Sequence, residues 1–299
     1  MSVKVIATSS SLGLAARLST LLGCSMIAVD EKVFPDGEKY VRVPHRLEGS
    51  TVVLVHSLYQ PQDERFLQLL LTIDAAKGAG AERVIVVVPY VAYARQDKRF
   101  LEGEPISVKV IFKAIEAAGA DALITVDLHR PSSLDEWLEI PHANVIPIDA
   151  LIGYFRGRLS NPVVLAPDRG ALHRAQLAAQ LLGAQYDYLE KVRDRVTGEV
   201  KVVPKSLDVK GGDMLIVDDI ISTGGTIAAA SKSVLTEGAR NVYAACTHAL
   251  LVSGALDRLY AAGVREVVAT DTVPSPVSKV SVAESLAKAV NEMLTTLSL

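Results

Sequence analysis

Only two cysteines occur in the 299 residues, Cys24 and Cys246, far apart and in or beside apolar strand patterns. No metal-ligand spacing joins them, which excludes a zinc-type site and leaves buried free thiols in a reducing cytoplasm as the expectation. Basic charge is not in excess either: 31 Lys and Arg stand against 34 Asp and Glu, a formal net charge of -3. A general nucleic-acid binder carries a basic surplus, so no nucleic-acid partner is expected, although a local basic site for a small anion remains compatible. Long apolar runs are missing. The longest, around Val84 to Ala94, is broken by Pro89 and is well short of the roughly 18 residues of a membrane span. Met1-Ser-Val-Lys-Val runs straight into a strand pattern without signal-peptide layout, so no membrane partner is expected. The absent motifs exclude further classes. Without G-x-x-x-x-G-K-[ST] the chain is not a P-loop nucleotide hydrolase, and without G-x-G-x-x-G after the first strand a dinucleotide cofactor is not expected. There is no G-x-S-x-G nucleophile elbow.

The chain does have ordinary globular composition, 49% hydrophobic and 22% charged, and a length that suggests roughly two domains of about 150 residues. Short β-rich runs alternate with amphipathic stretches. The pattern predicts strands at Val3–Ala7, Met26–Val29, Thr51–His56, Arg83–Pro89, Ala122–Asp127 and Val145–Ile148, with helices at Leu12–Leu22, Pro61–Ala79, Ile106–Ala118 and Asp149–Leu159. Alternation resumes with strands Val163–Ala166, Gln185–Leu189, Asp213–Val217, Val242–Thr247 and Glu266–Ala269. The helices among these are Ala171–Leu182, Thr226–Glu237, Gly254–Ala262 and Val282–Leu297. Near-continuous Val/Ile/Leu strands separated by helices indicate an α/β fold of two mostly parallel sheets flanked by helices. The expected domains are residues 1–147 and 148–299.

In such folds ligands bind at the carboxyl ends of strands, where several polar clusters fall. The run LIVDDIISTGGT, Leu215 to Thr226, is a buried strand ending in Asp218 and Asp219, then Ser222-Thr223-Gly224-Gly225-Thr226, then a helix. A helix N-terminus offers free N–H groups and a positive dipole end to a phosphate, and the two carboxylates can take sugar hydroxyls or hold Mg²⁺. An ordinary strand-to-helix turn with Ser and Thr caps is the alternative, but two acids before Ser-Thr-Gly-Gly-Thr favour the phosphorylated sugar. His129, two residues past Asp127, either satisfies a turn or serves as a metal or phosphate ligand. Asp168-Arg169-Gly170-Ala171 reads as a second anion loop or as an Asp N-cap with an exposed basic turn. In Tyr93 to Arg99, Arg95 and Gln96 are better placed than Lys98 or Arg99 to grip phosphates. Glu190 to Arg195, with Lys191 and Arg193, is either an exposed charged hairpin tip or a mobile basic loop closing over phosphoryl charge. Phe34-Pro35-Asp36-Gly37-Glu38 is a turn whose aromatic could stack on a base beside acids that accept from an exocyclic amine.

These segments together resemble the ribose-phosphate pyrophosphokinase (PRPP synthetase) family along almost the whole chain. DDIISTGGT is similar to the ribose 5-phosphate loop shared with phosphoribosyltransferases. FPDGE at Phe34–Glu38, YARQDKR at Tyr93–Arg99 and VDLH at Val126–His129 resemble synthetase blocks that simple phosphoribosyltransferases lack. Thr247-His248-Ala249-Leu250 with Ser253-Gly254, and Val280-Ser281-Val282-Ala283, also fit.

The resemblance implies two tandem phosphoribosyltransferase-like domains. It implies transfer of the β,γ-diphosphoryl group of ATP to the anomeric hydroxyl of ribose 5-phosphate, giving 5-phosphoribosyl 1-diphosphate, a precursor for nucleotide biosynthesis, and AMP. On that resemblance Ser222, Thr223, Gly224, Gly225 and Thr226 hold the 5-phosphate and Asp218 and Asp219 face the ribose. Arg95 and Gln96 hold ATP phosphates; Phe34, Asp36 and Glu38 reach the adenine. His129 and Asp168 serve Mg²⁺, and Lys191 and Arg193 match the catalytic loop. The family implies a homo-oligomer, dimer up to hexamer, with the FPDGE turn reaching a neighbour. The sequence departs from the family pattern at Ala171, where a second glycine is usual, and at Arg130-Pro131-Ser132-Ser133 after VDLH, which puts allosteric control in doubt. Alternatives are a phosphoribosyltransferase acting on a nucleobase and a non-catalytic, synthetase-like regulatory subunit.

Overall fold

The computed structural model describes residues 2–193, 200–204 and 209–298, the side chains of 190–193 and 200–204 excepted. It divides into two compact units, one of Met1–Ile146 with Val282–Leu299 and one of Pro147–Ser281.

The first unit runs β1 (Ser2–Ala7), α1 (Leu12–Leu21), β2 (Ser25–Ala28), β3 (Asp30–Val33), β4 (Lys39–Arg42), β5 (Ser50–Val55), α2 (Gln62–Gly78), β6 (Arg83–Val88), α3 (Ser107–Ala117), β7 (Ala122–Val126), α4 (Ser133–Trp137) and β8 (His142–Val145). Its main sheet has the order β2-β1-β5-β6-β7-β8 and every pairing is parallel. Both faces are covered, so central strands such as STVVLV are buried at every position rather than alternating. Leu69 and Ile73 of α2 and Phe112 and Ile115 of α3 are buried. The β3–β4 hairpin stands outside this sheet as an antiparallel pair and packs on α2.

The second unit runs α5 (Ile148–Gly153), β9 (Val163–Ala166), α6 (Leu172–Leu182), β10 (Gln185–Arg193), β11 (Val200–Pro204), β12 (Asp213–Ile221), α7 (Gly225–Thr236), β13 (Asn241–Ala249), α8 (Ala255–Ala261), β14 (Val264–Thr270) and β15 (Ser278–Val280). The order β11-β10-β9-β12-β13-β14-β15 is parallel except for the antiparallel β10–β11 edge. One core layer joins Leu165, Met214 and Ile216 to Ile227, Val234 and Leu259. The other joins Val164, Leu215 and Val217 to Phe155, Ala175 and Ala178. Alternate residues of β12 thus serve opposite faces, as the period of two requires.

Several sequence expectations change. The tail expected with the second domain instead forms α9 (Ala283–Ser298), which packs on α1 and β8 of the first unit. Leu286, Val290 and Met293, spaced as one helical stripe, complete the core with Val5, Leu14 and Leu18. The strand expected at Val145–Ile148 starts three residues earlier, at His142, because Pro147 cannot donate to a ladder and instead precedes α5. β12 and β10 both run four residues past their expected ends, each held by a neighbouring strand, β13 and β11 respectively. The β3–β4 hairpin, α4, β11 and β15 were not expected; all are five residues or shorter, too short for periodicity to reveal.

Candidate functional site

The C-terminal edge of the second sheet collects Asp168, Asp218, Asp219 and the 222–226 loop, because β9 and β12 are parallel neighbours. Asp219 lies on the α6 face of β12, and its Oδ2 is 3.8 Å from Nη2 of Arg174. Both side chains are largely buried, at 8% and 16% exposure, so water screens the pair little. Arg174 belongs to none of the motifs read from the sequence. A cation in the first turn of a helix opposes the dipole, and that misplacement was the available signal that it faces an acid. The Asp219 N–H donates to Oδ1 of Asp218 at 2.9 Å, and the Ile220 N–H to Oδ1 of Asp219 at 2.8 Å. Burial, then the adjacent Asp219 charge, raises the Asp218 carboxyl well above the usual carboxylate range. Two neighbouring acids under that penalty gain from a cation brought between or beside them.

After β12 the chain turns on Gly224, at φ +71°, and enters α7. The first intrahelical bond runs from Ala228 N–H to Gly224 O at 2.9 Å, so the N–H groups before it face the loop mouth. The loop's carbonyls have partners: Thr223 O accepts from Nη1 of Arg258, and Ser222 O from Val252 N–H at 3.1 Å. Carbonyls engaged from behind and amides presented in front make an anion cradle. Glycine is required at 224 twice over, for its left-handed φ and because a Cβ would come 3.1 Å from Cγ of Leu259. Gly224→Ala is expected to cost about 1–2 kcal/mol of backbone strain. A lowered melting temperature with weaker binding of phosphorylated sugar is the result to look for; unchanged values would show that the loop accepts another geometry.

Asp168 adopts the N-cap alternative: its Oδ1 accepts from the N–H groups of Gly170 and Ala171 at 2.8 and 3.2 Å. Its other oxygen and its exposed position at the β9 edge leave it able to face a ligand. Lys191 and Arg193 are paired through their backbone with Val202 and Val200 of β11; their side chains, and residues 194 and 195 of the same basic segment, lie outside what is described.

In the first unit, Arg95 and Gln96 follow β6 and His129 follows β7, so neighbouring strands bring both loops to one sheet edge. Tyr93 has φ +63°, and its hydroxyl donates to Asp63; the Gln96 side chain accepts from the Ser107 hydroxyl. Arg95 and His129 are exposed. Asp127, also left-handed at φ +42°, is buried, and the Leu128 N–H donates to Asn144 Oδ1 at 2.9 Å, which turns the chain so that His129 emerges. Phe34, Asp36 and Glu38 cap the β3–β4 hairpin. Phe34 N–H donates to Glu38 O at 2.8 Å, and Gly37, at φ +96°, closes the turn. Lys39 pairs with Glu64 and ties the hairpin to α2. Nζ of Lys32 sits 4.4 Å from the Phe34 ring centre and 4.7 Å from that of Tyr40.

His129 and Asp168, the two residues expected to serve Mg²⁺, fall in different units. Among the described residues no group of three or more His, Cys, Asp or Glu is placed to hold a metal ion.

Residues 3–119 match the model described as the N-terminal domain of ribose phosphate pyrophosphokinase, and 136–281 match the phosphoribosyl transferase domain. The chain is 47% identical to the ribose-phosphate pyrophosphokinase of Methanopyrus kandleri, over 97% of this chain and 99% of that one. The chain belongs to the ribose-phosphate pyrophosphokinase family. The protein of the same name from Sulfolobus acidocaldarius is 43% identical over 91% of this chain and 94% of its own. The crystal structure of phosphoribosylpyrophosphate synthetase from Mycobacterium smegmatis superposes with a TM-score of 0.88 at 30% identity, covering 99% and 100% of the two chains. The pyrophosphokinase fold of two mostly parallel sheets flanked by helices therefore holds over the full length. No helix among the described residues is long and apolar enough to cross a membrane.

Proposed function

We propose that this enzyme is a ribose-phosphate diphosphokinase of the cytoplasm, acting as a homo-oligomer on ATP and ribose 5-phosphate. The observation that carries this reading is the joint placement of Asp218, Asp219 and the α7 N-terminus at one sheet edge, in a chain whose other half matches the family's N-terminal model. That N-terminal half is what a nucleobase phosphoribosyltransferase has no use for.

In the proposed reaction the anomeric oxygen of ribose 5-phosphate attacks the β-phosphorus of ATP in line. The bond from that phosphorus to the α–β bridging oxygen breaks, AMP leaves, and the proton of the anomeric hydroxyl is lost to solvent or to a nearby base. The 222–226 loop holds the 5-phosphate, and Asp218 and Asp219 accept from the ribose hydroxyls. Arg95 and Gln96 hold the polyphosphate, and Phe34 stacks on adenine while Asp36 and Glu38 accept from its amine. Lys191 and Arg193 neutralise charge on the transferred group, since this chemistry asks for positioning and charge more than for a covalent intermediate. A Mg²⁺ ion, which keeps waters and substrate phosphates among its ligands, would supply further neutralisation. The Asp218–Asp219 pair fits such an ion, with Asp168 and His129 as the other candidates.

Purified protein given ATP, Mg²⁺ and ribose 5-phosphate is expected to release AMP. ADP and phosphate in its place would identify a hydrolase, and no AMP under varied metal and phosphate would leave a non-catalytic subunit. Asp219→Ala should raise KM for ribose 5-phosphate roughly ten- to hundredfold, the about 1.5–3 kcal/mol of a hydrogen bond to a charged group. Unaltered KM and kcat in that variant would remove Asp219 from the sugar site.

A further inference from the structure

Arg130 directly follows His129 and occupies the position where this sequence leaves the family pattern. Its three guanidinium nitrogens are all engaged. Nη1 faces Oδ2 of Asp97 at 3.4 Å and the Asp97 carbonyl at 3.5 Å, Nη2 pairs with Glu136 of α4, and Nε donates to the Ser132 hydroxyl at 3.1 Å. Asp97 is the residue after Arg95 and Gln96, and its side chain is only 14% exposed. One side chain thus ties the loop after β6 to the loop after β7 and to α4.

Two acids already neutralise this guanidinium, so it has little charge to offer a phosphate. Its planar fork, in contrast, suits the holding of two carboxylates in fixed directions. The loops it joins emerge from parallel neighbours β6 and β7, whose axes lie about 4.8 Å apart. Beyond its strand the first loop is also held by the Tyr93 hydroxyl on Asp63, by Gln96 N–H on Tyr93 O at 3.1 Å, by Val108 N–H on Gln96 O at 3.4 Å and by the Ser107 contact to the Gln96 side chain. These contacts tie the loop to itself, to α2 and to α3. The Arg130–Asp97 contact is the one in this set that links it to the loop bearing His129.

We propose that Arg130 is a positioning residue for the nucleotide: it sets Arg95 and Gln96 in register with His129 without touching ATP. This rests on the assignment of Arg95 and Gln96 to the ATP phosphates. Misplacing binding groups by a fraction of an ångström to an ångström weakens the ligand they hold and leaves a ligand held elsewhere unaffected. Arg130→Met is therefore expected to raise KM for ATP roughly tenfold, with KM for ribose 5-phosphate and kcat within about twofold of the parent. Glu136→Gln, which removes one acid from the clamp, should move KM for ATP the same way by about two- to threefold. Arg130→Lys, with one nitrogen where the fork had three, should restore only part of the loss.

Steady-state kinetics of these variants on the full chain, with melting temperatures beside them, test the idea. Loss of kcat and of both substrate affinities in step would reduce Arg130 to a structural role and overturn it. Full recovery in Arg130→Lys with no effect of Glu136→Gln would overturn it in favour of direct phosphate contact. If Arg130→Met does not fold, Glu136→Gln and Arg130→Lys give the same readings. Arg95→Ala separates the two levels: an unchanged KM for ATP there sinks the site assignment, whereas a raised one with Arg130 variants like the parent sinks only the clamp.

Discussion

Replacing Lys191 by alanine is expected to lower kcat by roughly 10²–10³, about 3–4 kcal/mol, by analogy with a lost oxyanion-hole donor. Ribose 5-phosphate binding, measured by calorimetry without ATP, should stay near that of the parent. The reason is that a cation aimed at charge appearing during transfer stabilises the transition state more than either ground state. Normal turnover by the variant would mean that the basic segment after Leu189 is an ordinary charged strand end. The backbone is compatible with a supported catalytic segment: residues 189 to 193 pair with 200 to 204 in an antiparallel ladder. That pairing corresponds to the charged hairpin, one of the two readings of this stretch, and the Lys191 variant tests the other.

A second large effect concerns acid. His56, at the end of β5, has no exposed surface, and burial, followed by the nearby Arg65 charge, holds its pKa down to about 3 from 6.5. Its imidazole is neutral in the folded chain and takes up a proton in the unfolded chain below about pH 6.5. The sign follows: this group's contribution is complete above that pH and is lost progressively as pH falls toward 3. The full loss is roughly 5 kcal/mol, and the part falling between pH 7.5 and 4.5 is about 3 kcal/mol. Urea unfolding at those two pH values should therefore show a stability difference smaller by about that 3 kcal/mol in His56→Gln than in the parent. Equal pH dependence in the two proteins would place the acid sensitivity elsewhere. Comparing slopes rather than absolute stabilities keeps the test clear of any cost of the substitution itself.

Much of the fold was legible because the central strands are short Val/Ile/Leu runs separated by longer amphipathic stretches. STVVLV, RVIVVV and ALITV could only be strands buried on both faces. Elements of five residues or fewer escaped, since two turns of helix or several alternations are needed before a period stands out. Edge pairing was open to two readings. β10 reaches Arg193 because β11 folds back on it, and Glu190–Arg195 reads locally as a hairpin or as a mobile loop alike. α9 has an evident apolar stripe, but a stripe does not name the sheet it will cover.

The site divides in the same way. DDIISTGGT states its own chemistry, because the acids, the glycines and the helix start are contiguous, and a strand-loop-helix segment needs no distant partner to become an anion cradle. Asp168 shows the limit, for its carboxylate caps its own turn, and whether it also meets a ligand depends on what lies beyond it. Arg174 against Asp219 and Arg258 behind Thr223 join residues 45 and 35 positions apart, and no spacing rule connects them.

By itself, then, the sequence determined the α/β class, most strands and long helices, the family, and the residue types proposed to face phosphate and sugar. These follow from periodicity and from motifs whose members are neighbours in the chain. The tertiary structure alone decided that the last helix belongs to the first unit, that Arg174 shields one of the paired acids, that Arg130 bridges two loops, and that His56 is sealed from water. Each of these is a matter of which surfaces meet. Burial, the effective dielectric and the charge facing a group are set by distant segments folded against it, and so they are absent from any local stretch of sequence.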